Sequence, residues 1–301
     1  MWLPFDVDLL EDVPPELDYE TFVPQTGAAL PDWVSRVEFY VPPYQWSDKG
    51  SGLLQRMPAL KVVQTMTAGV DHIRPQVPPG VLLCNGRGIH DASTAELAMA
   101  LMLSSLRGIA RFVHAQAEHR WDHAMLPALA DKTVLIVGYG AIGAALERRL
   151  AGFETQVLRV ARRPRAGVAG FDELPQLVPQ ADVVVLIVPL TDETRALVDA
   201  DFLSRMKDGA LLVNVARGGV VDTDALVKEL HSGRITAALD VTDPEPLPAD
   251  HPLWEAPEVL ITPHVGGASS AMAPRAFAVV REQLRRFAHG EPLANVMSGA
   301  Y

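Results

Sequence analysis

The chain has 301 residues, 49% of them hydrophobic and 21% charged, which allows a sizeable core and two domains and excludes a disordered or fibrous protein. Its 26 lysines and arginines against 37 acidic residues give a net charge of -11, so no nucleic-acid partner is expected. Cys84 is the only cysteine, which excludes an intramolecular disulfide and favours a reducing cytoplasm.

The sequence contains no strong targeting or membrane signal. Residues 1–18 collect prolines and acidic side chains, so they predict neither a signal peptide nor a transit peptide. The most apolar stretch, residues 97–106, is far shorter than the roughly 20 apolar residues that span a membrane. We therefore expect no membrane partner and, by default, a cytoplasmic location.

The first ninety residues predict a small α/β unit. Short strand-forming runs at 37–41, 61–66 and 81–85 alternate with loops rich in proline and glycine. From Ser93 a helical pattern extends to residue 119, and Ser93 with Glu96 is a candidate capping box at its start. The apolar density of this run predicts a helix buried between two domains.

From Lys132 onward, six apolar runs predict a second sheet. Valine, leucine and isoleucine follow one another almost without interruption, as in strands that are covered on both faces. We therefore expect a doubly wound parallel sheet. After Pro274 the pattern is helical and predicts that the C-terminus returns across the domain boundary. The six runs are 132–138, 155–161, 181–189, 209–215, 235–241 and 258–262.

Gly138, Gly140 and Gly143 form the pattern G-x-G-x-x-G between a predicted buried strand and a predicted helix. In that context the first glycine allows a tight turn, the second lets the backbone approach a pyrophosphate, and the third allows close packing of helix on strand. The helix N-terminus then points its amides at the anion. The alternative is an ordinary structural turn, but the flanking strand and helix favour a dinucleotide site.

The end of the next strand predicts which dinucleotide is bound. NAD-specific proteins carry an acidic residue there for the ribose 2′-hydroxyl, whereas this chain has Arg162, Arg163 and Arg165. Guanidinium groups suit a 2′-phosphate, so NADP(H) is favoured and NAD(H) remains possible. The alternative is a solvated basic loop.

Arg217, Glu245 and His264 follow successive predicted strands, at the edge where open parallel sheets bind ligands. Singly, each has an ordinary explanation as a surface cation, a loop carboxylate and a turn histidine. Their joint occurrence downstream of a dinucleotide turn favours a catalytic set.

These motifs resemble, over nearly the whole chain, those of the D-isomer-specific 2-hydroxyacid dehydrogenase family. No single motif is specific, but their order and spacing together are. The segments that carry the resemblance are MTAGVDHI at 66–73, STAELAMALML at 93–103, VGYGAIG at 137–143, VPLTDETRALVD at 188–199, NVARGGVVD at 214–222, LDVTDPEPLP at 239–248 and TPHVGG at 262–267.

The resemblance implies an α/β fold of two domains. A Rossmann-type doubly wound parallel sheet, residues 93–269 with the interdomain helix, would be inserted in a smaller flavodoxin-like α/β substrate domain of residues 1–92 and 270–301. It also implies an NAD(P)-dependent D-2-hydroxyacid dehydrogenase, or 2-oxo acid reductase, of the glyoxylate or hydroxypyruvate reductase kind, and a homodimer. Which 2-oxo acid is the substrate stays open.

In this family reading, Arg217 binds the substrate carboxylate or polarises the 2-oxo group, and His264 is the acid/base. Glu245 accepts a hydrogen bond from the other ring nitrogen of His264 and favours its protonated form. The backbone amides of Ala68, Gly69 and Val70 hold the carboxylate from the other domain; the alternative there is a plain strand-to-helix turn. Further cofactor positions implied by the resemblance are Tyr139, Ala141, Ile142, Pro189, Thr194, Val215, Ala216, Asp240 and Gly266.

Two other functions stay open. The same fold serves cofactor-sensing corepressors, but the intact catalytic set and the absence of an extension for partners favour an enzyme. A formate or phosphite dehydrogenase is a further alternative. His119 and His123 are four residues apart, yet no carboxylate or cysteine at a ligand spacing accompanies them, so no metal site is predicted.

Overall fold

The computed structural model describes residues 1–23, 29–44 and 52–297. The chain divides into two compact units, Met1–His90 with Ser270–Tyr301, and Asp91–Ser269. Each unit has a parallel sheet of its own.

The sheet of the first unit has five parallel strands in the order β2-β1-β3-β4-β5, which is the flavodoxin-like order. The sequence predicts three of them; the other two, Trp2–Leu3 and Glu20–Thr21, lie outside the predicted runs, in segments interrupted by prolines and acidic residues. Trp2, Phe39 and Tyr40 are among the largest fully buried side chains of this unit. The strands are β1 (Trp2–Leu3), β2 (Glu20–Thr21), β3 (Phe39–Tyr40), β4 (Val62–Gln64) and β5 (Leu82–Cys84).

The sheet of the second unit has six parallel strands in the order β7-β6-β8-β9-β10-β11. The order reverses at β6, and the crevice beyond the carboxyl ends at such a switch point is where open α/β sheets bind ligands. All six strands lie within the predicted runs. They are β6 (Thr133–Val137), β7 (Gln156–Val160), β8 (Val183–Leu186), β9 (Leu211–Asn214), β10 (Thr236–Leu239) and β11 (Val259–Ile261).

Two apolar clusters cover the faces of this six-stranded sheet. One contains Leu135, Val184 and Leu212, and the other contains their strand neighbours Ile136 and Val185, as the alternation of side chains along a strand requires. The prediction of a doubly wound sheet is therefore confirmed. The helices are α1 (Asp91–Leu106), α2 (Ile109–Ala117), α3 (Ala141–Leu150), α4 (Leu174–Leu177), α5 (Ala200–Arg205), α6 (Thr223–His231) and α7 (Met272–Ala288).

The predicted continuous helix over 93–119 is wrong in detail. It is broken at Gly108, whose φ of 58° is left-handed, so that α1 and α2 meet at 63°. The predicted capping box is also wrong, because α1 begins at Asp91 and places Ser93 inside its first turn. Within the described ranges, no single helix has the length and apolarity to cross a membrane, and only α1 and α2 together, bent as they are, satisfy that criterion.

Candidate active site

The glycine turn joins β6 to α3, and its three glycines have different surroundings. Gly138 has a φ of 107°, and a Cβ there would lie 2.6 Å from the carbonyl carbon of Ile187. A Cβ on Gly143 would lie 3.1 Å from the carbonyl oxygen of Gly138 and 3.2 Å from Cγ2 of Ile136. At Gly140 the nearest atom to a Cβ is 4.0 Å away. Close packing therefore requires glycine at positions 138 and 143. Gly140 instead borders open space, which a Cβ would begin to fill.

The N-terminus of α3 follows directly after this open position. Its first intrahelical hydrogen bond runs from the amide of Ala144 to the carbonyl of Gly140 at 3.0 Å, so the amides of Ala141, Ile142 and Gly143 precede the helical ladder. Amides at a helix N-terminus, together with the helix dipole, favour an anion. The arrangement suits a pyrophosphate held against the turn.

The segment after β7 carries the three predicted arginines, all exposed, and residues 161–168 contain no carboxylate. Arg165 Nη2 donates to the carbonyl of Tyr139 at 2.8 Å, and its guanidinium carbon lies 5.6 Å from the centroid of the Tyr139 ring. One of the three arginines is thus tied to the glycine turn itself.

At the end of β9, a buried amide shapes the backbone that carries Arg217. Asn214 is 1% exposed; its Oδ1 accepts from the amide of Ala216 at 3.0 Å, and its Nδ2 donates to the carbonyl of Arg217 at 3.1 Å. Arg217 Nη1 donates to the carbonyl of Ala216 at 2.8 Å. Val215 and Ala216 are buried before it. Asn214 therefore acts as a support that the sequence analysis missed.

Gly218 brings the β9 end against the loop that follows β10. A Cβ on Gly218 would lie 1.9 Å from the carbonyl oxygen of Thr242 and 2.6 Å from the amide nitrogen of Asp243. Two backbones can approach this closely only where one of them has no side chain. Gly218 thus sets the spacing between Arg217 and the loop that leads to Glu245.

The adjacent glycines offer a matched test of this contact. We expect Gly218→Ala to lower the free energy of unfolding by about 1–3 kcal/mol, because the clash is with backbone that must move. Gly219→Ala is the control, since a Cβ there would find its nearest atoms at 3.4 Å, an ordinary contact. Urea denaturation of both variants measures the difference. Equal stabilities would show that the Gly218 contact does not constrain the two loops.

A buried carboxylate holds the turn that carries His264. Asp240 is 2% exposed; its Oδ1 accepts from Thr262 Oγ1 at 2.6 Å and from the amide of Val265 at 2.9 Å, and its Oδ2 accepts from the amide of Gly266 at 2.8 Å. The amide of His264 donates to the Asp240 carbonyl at 2.8 Å. The φ of His264 is 53°, a left-handed conformation that these bonds maintain.

His264 and Glu245 form a direct pair. The Nδ1 of His264 lies 2.5 Å from Oε1 of Glu245, and the two side chains are 42% and 41% exposed. A carboxylate is only an acceptor here, so Nδ1 carries the hydrogen and Nε2 lies on the opposite edge of the ring. An imidazole oriented in this way can exchange a proton at Nε2.

The loop after β8 is closed by a buried hydroxyl. Thr194 is 3% exposed; its Oγ1 donates to the carbonyl of Pro189 at 2.6 Å and accepts from the amide of Thr191 at 2.8 Å. The polar atoms of Thr194 are therefore used within the loop, as those of Asp240 are used within the histidine turn.

In the first unit, the predicted carboxylate loop has its carbonyl groups anchored. Thr67 Oγ1 donates to the carbonyl of Gly69 at 2.8 Å, and Asn85 Nδ2 donates to that of Ala68 at 3.0 Å. Val70 is fully buried where the chain turns. Buried Gln64 donates to the carbonyl of Asn85 at 3.2 Å and so supports the same corner. Thr67, Asn85 and Gln64 were not singled out from sequence, because neither spacing nor residue type distinguishes them.

The second unit brings most of the predicted site to one edge of its sheet. The glycine turn and residues 189, 217, 240 and 264 all follow strand ends, and the contacts join His264 to Glu245 directly. His119 and His123 lie beyond the end of α2, on an irregular connector. Within the described residues, no group of three or more His, Cys, Asp or Glu side chains is placed to hold a metal ion.

Comparison with known proteins identifies the larger part of the chain. Residues 99–266 match the model of the D-isomer specific 2-hydroxyacid dehydrogenase, NAD binding domain. A human protein named glyoxylate reductase/hydroxypyruvate reductase is 35% identical over 249 residues, which are 78% of this chain and 76% of that protein.

Two solved structures are similar over almost the whole chain. A D-isomer specific 2-hydroxyacid dehydrogenase from Xanthobacter autotrophicus Py2, in complex with NADPH and MES, superposes with a TM-score of 0.83 at 34% identity, covering 97% of this chain and 93% of that one. An NADPH-dependent glyoxylate/hydroxypyruvate reductase from Sinorhizobium meliloti, in complex with NADP and sulfate, gives a TM-score of 0.80 at 28% identity, with coverages of 97% and 93%.

Proposed function

The chain belongs to the D-isomer-specific 2-hydroxyacid dehydrogenase family, and we propose that it reduces a small 2-oxo acid to the D-2-hydroxy acid, with NADPH preferred to NADH. The observation that carries this proposal is the hydrogen bond between His264 and Glu245, in the unit that also holds the glycine turn. It supplies an oriented acid/base at the sheet edge where a dinucleotide would bind. The glyoxylate and hydroxypyruvate reductases among the relatives make those two acids the first candidates.

The residues of the glycine turn fit the pyrophosphate of a nicotinamide dinucleotide. Open space at Gly140 and the amides of Ala141 and Ile142 would hold the pyrophosphate, and the exposed arginines 162, 163 and 165 would hold a 2′-phosphate. When bound, the dinucleotide supplies the hydride that reduces the 2-oxo carbon. The NADP-bound and NADPH-bound relatives support the preference for the phosphorylated form.

His264 supplies the proton in the reducing direction. As imidazolium it donates from Nε2 to the oxygen of the 2-oxo group, which becomes the hydroxyl of the product. In the oxidising direction the neutral ring takes that proton back. Glu245 keeps Nδ1 protonated and stabilises the imidazolium between these steps.

Arg217 binds the substrate in this mechanism. Its planar guanidinium can hold a carboxylate with two parallel hydrogen bonds or polarise the 2-oxo group. We assign the backbone amides of Ala68, Gly69 and Val70 to the substrate carboxylate as well, because the anchored carbonyls of this loop fix the orientation of its peptide planes. Residues 1–92 and 270–301 would then form the substrate domain, and 93–269 the cofactor domain.

The remaining predicted cofactor positions act in two ways. Val215, Ala216, Pro189 and Gly266 would shape the nicotinamide and ribose side of the site through backbone and apolar contact. Thr194 and Asp240 would act indirectly, because their polar atoms already hold their own loops.

Glu245→Gln tests the histidine pair. The amide has no negative charge, so its hydrogen bond to Nδ1 of His264 is weaker and orients the imidazole less well. We therefore expect kcat for 2-oxo acid reduction to fall while the affinity for NADPH is unchanged. Steady-state kinetics and cofactor titration measure the two quantities. A Glu245→Gln variant with the wild-type kcat would contradict the role of Glu245 as the partner of His264.

The function itself is tested by the loss of reduced-cofactor absorbance with purified protein. NADPH and NADH are compared against glyoxylate, hydroxypyruvate, pyruvate and branched 2-oxo acids. Turnover with NADPH at lower KM than with NADH is the expected result. Turnover with NADH alone would support the oxidoreductase activity but contradict the proposal that the arginines bind a 2′-phosphate. Tight cofactor binding without turnover on any of these acids would contradict the reductase and favour a cofactor sensor.

We further propose a cytoplasmic homodimer. Trp121 is 97% exposed and Met125 is 98% exposed on the connector that follows α2, and Ile109 and Val113 of α2 are exposed as well. An exposed apolar patch made of such groups would mark a protein contact. A second copy of the chain is the partner we expect, and sedimentation velocity would then give about twice the 32.6 kDa of one chain. The cytoplasmic location is supported by the single cysteine, Cys84, which cannot form an intramolecular disulfide.

A further inference from the structure

Tyr139, between the first two glycines of the turn, is the centre of a charged cluster. Its hydroxyl donates to Oε2 of Glu147, which also accepts from Arg159 Nε at 3.0 Å. The guanidinium carbons of Arg159 and Arg165 lie 5.7 Å and 5.6 Å from the Tyr139 ring centroid. An aromatic ring of the glycine turn is therefore in contact with two cations.

The two arginines differ in how their charge is balanced. Arg159 forms an ion pair with Glu147, and its hydrogen bonds lower the pKa of that carboxyl below the usual range, so Glu147 stays ionised. Arg165 makes no ion pair with a carboxylate within the described residues. Its contacts are the Tyr139 ring, the Tyr139 carbonyl at 2.8 Å and the Arg163 carbonyl at 3.4 Å. Among the described residues, the positive charge of Arg165 is thus not balanced by an ion pair. Its guanidinium contacts the glycine turn through Tyr139.

The geometry points to Tyr139 as a residue that determines cofactor specificity: its ring, held by Glu147, keeps the Arg165 guanidinium at the turn, ready to pair with a 2′-phosphate. This inference rests on the proposed preference for NADPH. A flexible surface arginine loses side-chain freedom when it binds a phosphate, and a ring that already restrains the guanidinium removes part of that loss. The restraint acts on the group that would pair with the 2′-phosphate, so loss of the ring is expected to lower NADP(H) affinity more than NAD(H) affinity.

Calorimetric titration of the full chain with NADP⁺ and with NAD⁺ tests this without turnover. We expect Tyr139→Leu to weaken NADP⁺ binding roughly three- to thirtyfold more than it weakens NAD⁺ binding. Tyr139→Phe keeps the ring and should retain most of the preference for NADP⁺. Arg165→Leu, an exposed change that leaves the ring in place, should weaken NADP⁺ binding at least as much as Tyr139→Leu.

Each other outcome has a defined meaning. A Tyr139→Leu variant that weakens both cofactors equally would show a structural role for the ring and overturn the inference. So would an Arg165→Leu variant that keeps the wild-type preference. If the wild-type protein binds NAD⁺ as tightly as NADP⁺, the proposed preference fails together with this inference, while the reductase assay decides the reaction separately.

Discussion

Replacing His264 with asparagine is expected to lower kcat for 2-oxo acid reduction by about 10²- to 10⁴-fold, the usual contribution of a positioned general acid. Asparagine suits the position because it tolerates the left-handed φ of 53° better than most residues, so the turn held by Asp240 should persist. The proton donor is lost while the cofactor site keeps its geometry. Affinity for NADPH should therefore be unchanged.

The matched control is His231→Asn, which changes an exposed histidine on α6 whose Nδ1 lies 2.8 Å from the carbonyl of Val227. It should keep the wild-type kcat. Steady-state kinetics and cofactor titration of both variants separate catalysis from folding. If His264→Asn keeps kcat within about tenfold of the wild type, His264 is not the general acid.

Replacing Arg217 with lysine is expected to lower kcat/KM for the 2-oxo acid roughly ten- to a hundredfold or more. Loss of a charged hydrogen bond costs about 1.5–3 kcal/mol, and each 1.4 kcal/mol is about tenfold. Lysine keeps the positive charge but lacks the planar fork that holds a carboxylate at two points. The loss should therefore appear in kcat/KM for the 2-oxo acid, whereas the affinity for NADPH should not change.

Arg205→Lys is the control for Arg217→Lys, because Arg205 is an exposed arginine on α5 that pairs with Asp201 at 2.8 Å. Its kinetics should match the wild type. Measurement of kcat/KM for glyoxylate and hydroxypyruvate, with NADPH saturating, isolates the substrate step. An Arg217→Lys variant with weaker NADPH binding and unchanged kcat/KM for the acid would move Arg217 from the substrate to the cofactor.

Both variants probe groups held by residues that would not touch the substrate. Asn214 folds the backbone under Arg217, and Asp240 holds the turn of His264. Each is almost completely buried and has its polar atoms satisfied, so each supports one defined loop conformation. The side chains of Arg217 and His264 can therefore be partly exposed while the backbone that carries them is held in place.

The sequence alone was sufficient for the fold class and for the order of the main elements. The apolar runs of β6, β8 and β9 predict strands that are buried on both faces, and these strands are buried in the structure. This was predictable because the pattern depends only on the residues of each strand. The glycine turn was also predictable, since its pattern occupies only six positions and its first glycine adopts a φ of 107° that favours glycine. The roles of Arg217, Glu245 and His264 stay predictions, because they rest on residue type, order and resemblance.

Only the tertiary structure decided how the site is held. Three contacts join residues about 20 or more positions apart: the packing of Gly218 against Thr242, where a Cβ would lie 1.9 Å from the carbonyl oxygen, the 2.5 Å pair of His264 with Glu245, and the bonds that Asp240 accepts from the turn of His264. The break at Gly108 was likewise hidden, because a glycine within an apolar helical run is compatible with either a straight or a bent helix. The pattern of residues within a segment predicts its burial and its backbone conformation. Contacts between the ends of different strands form only when the folded sheet brings those ends together, so no single segment predicts them.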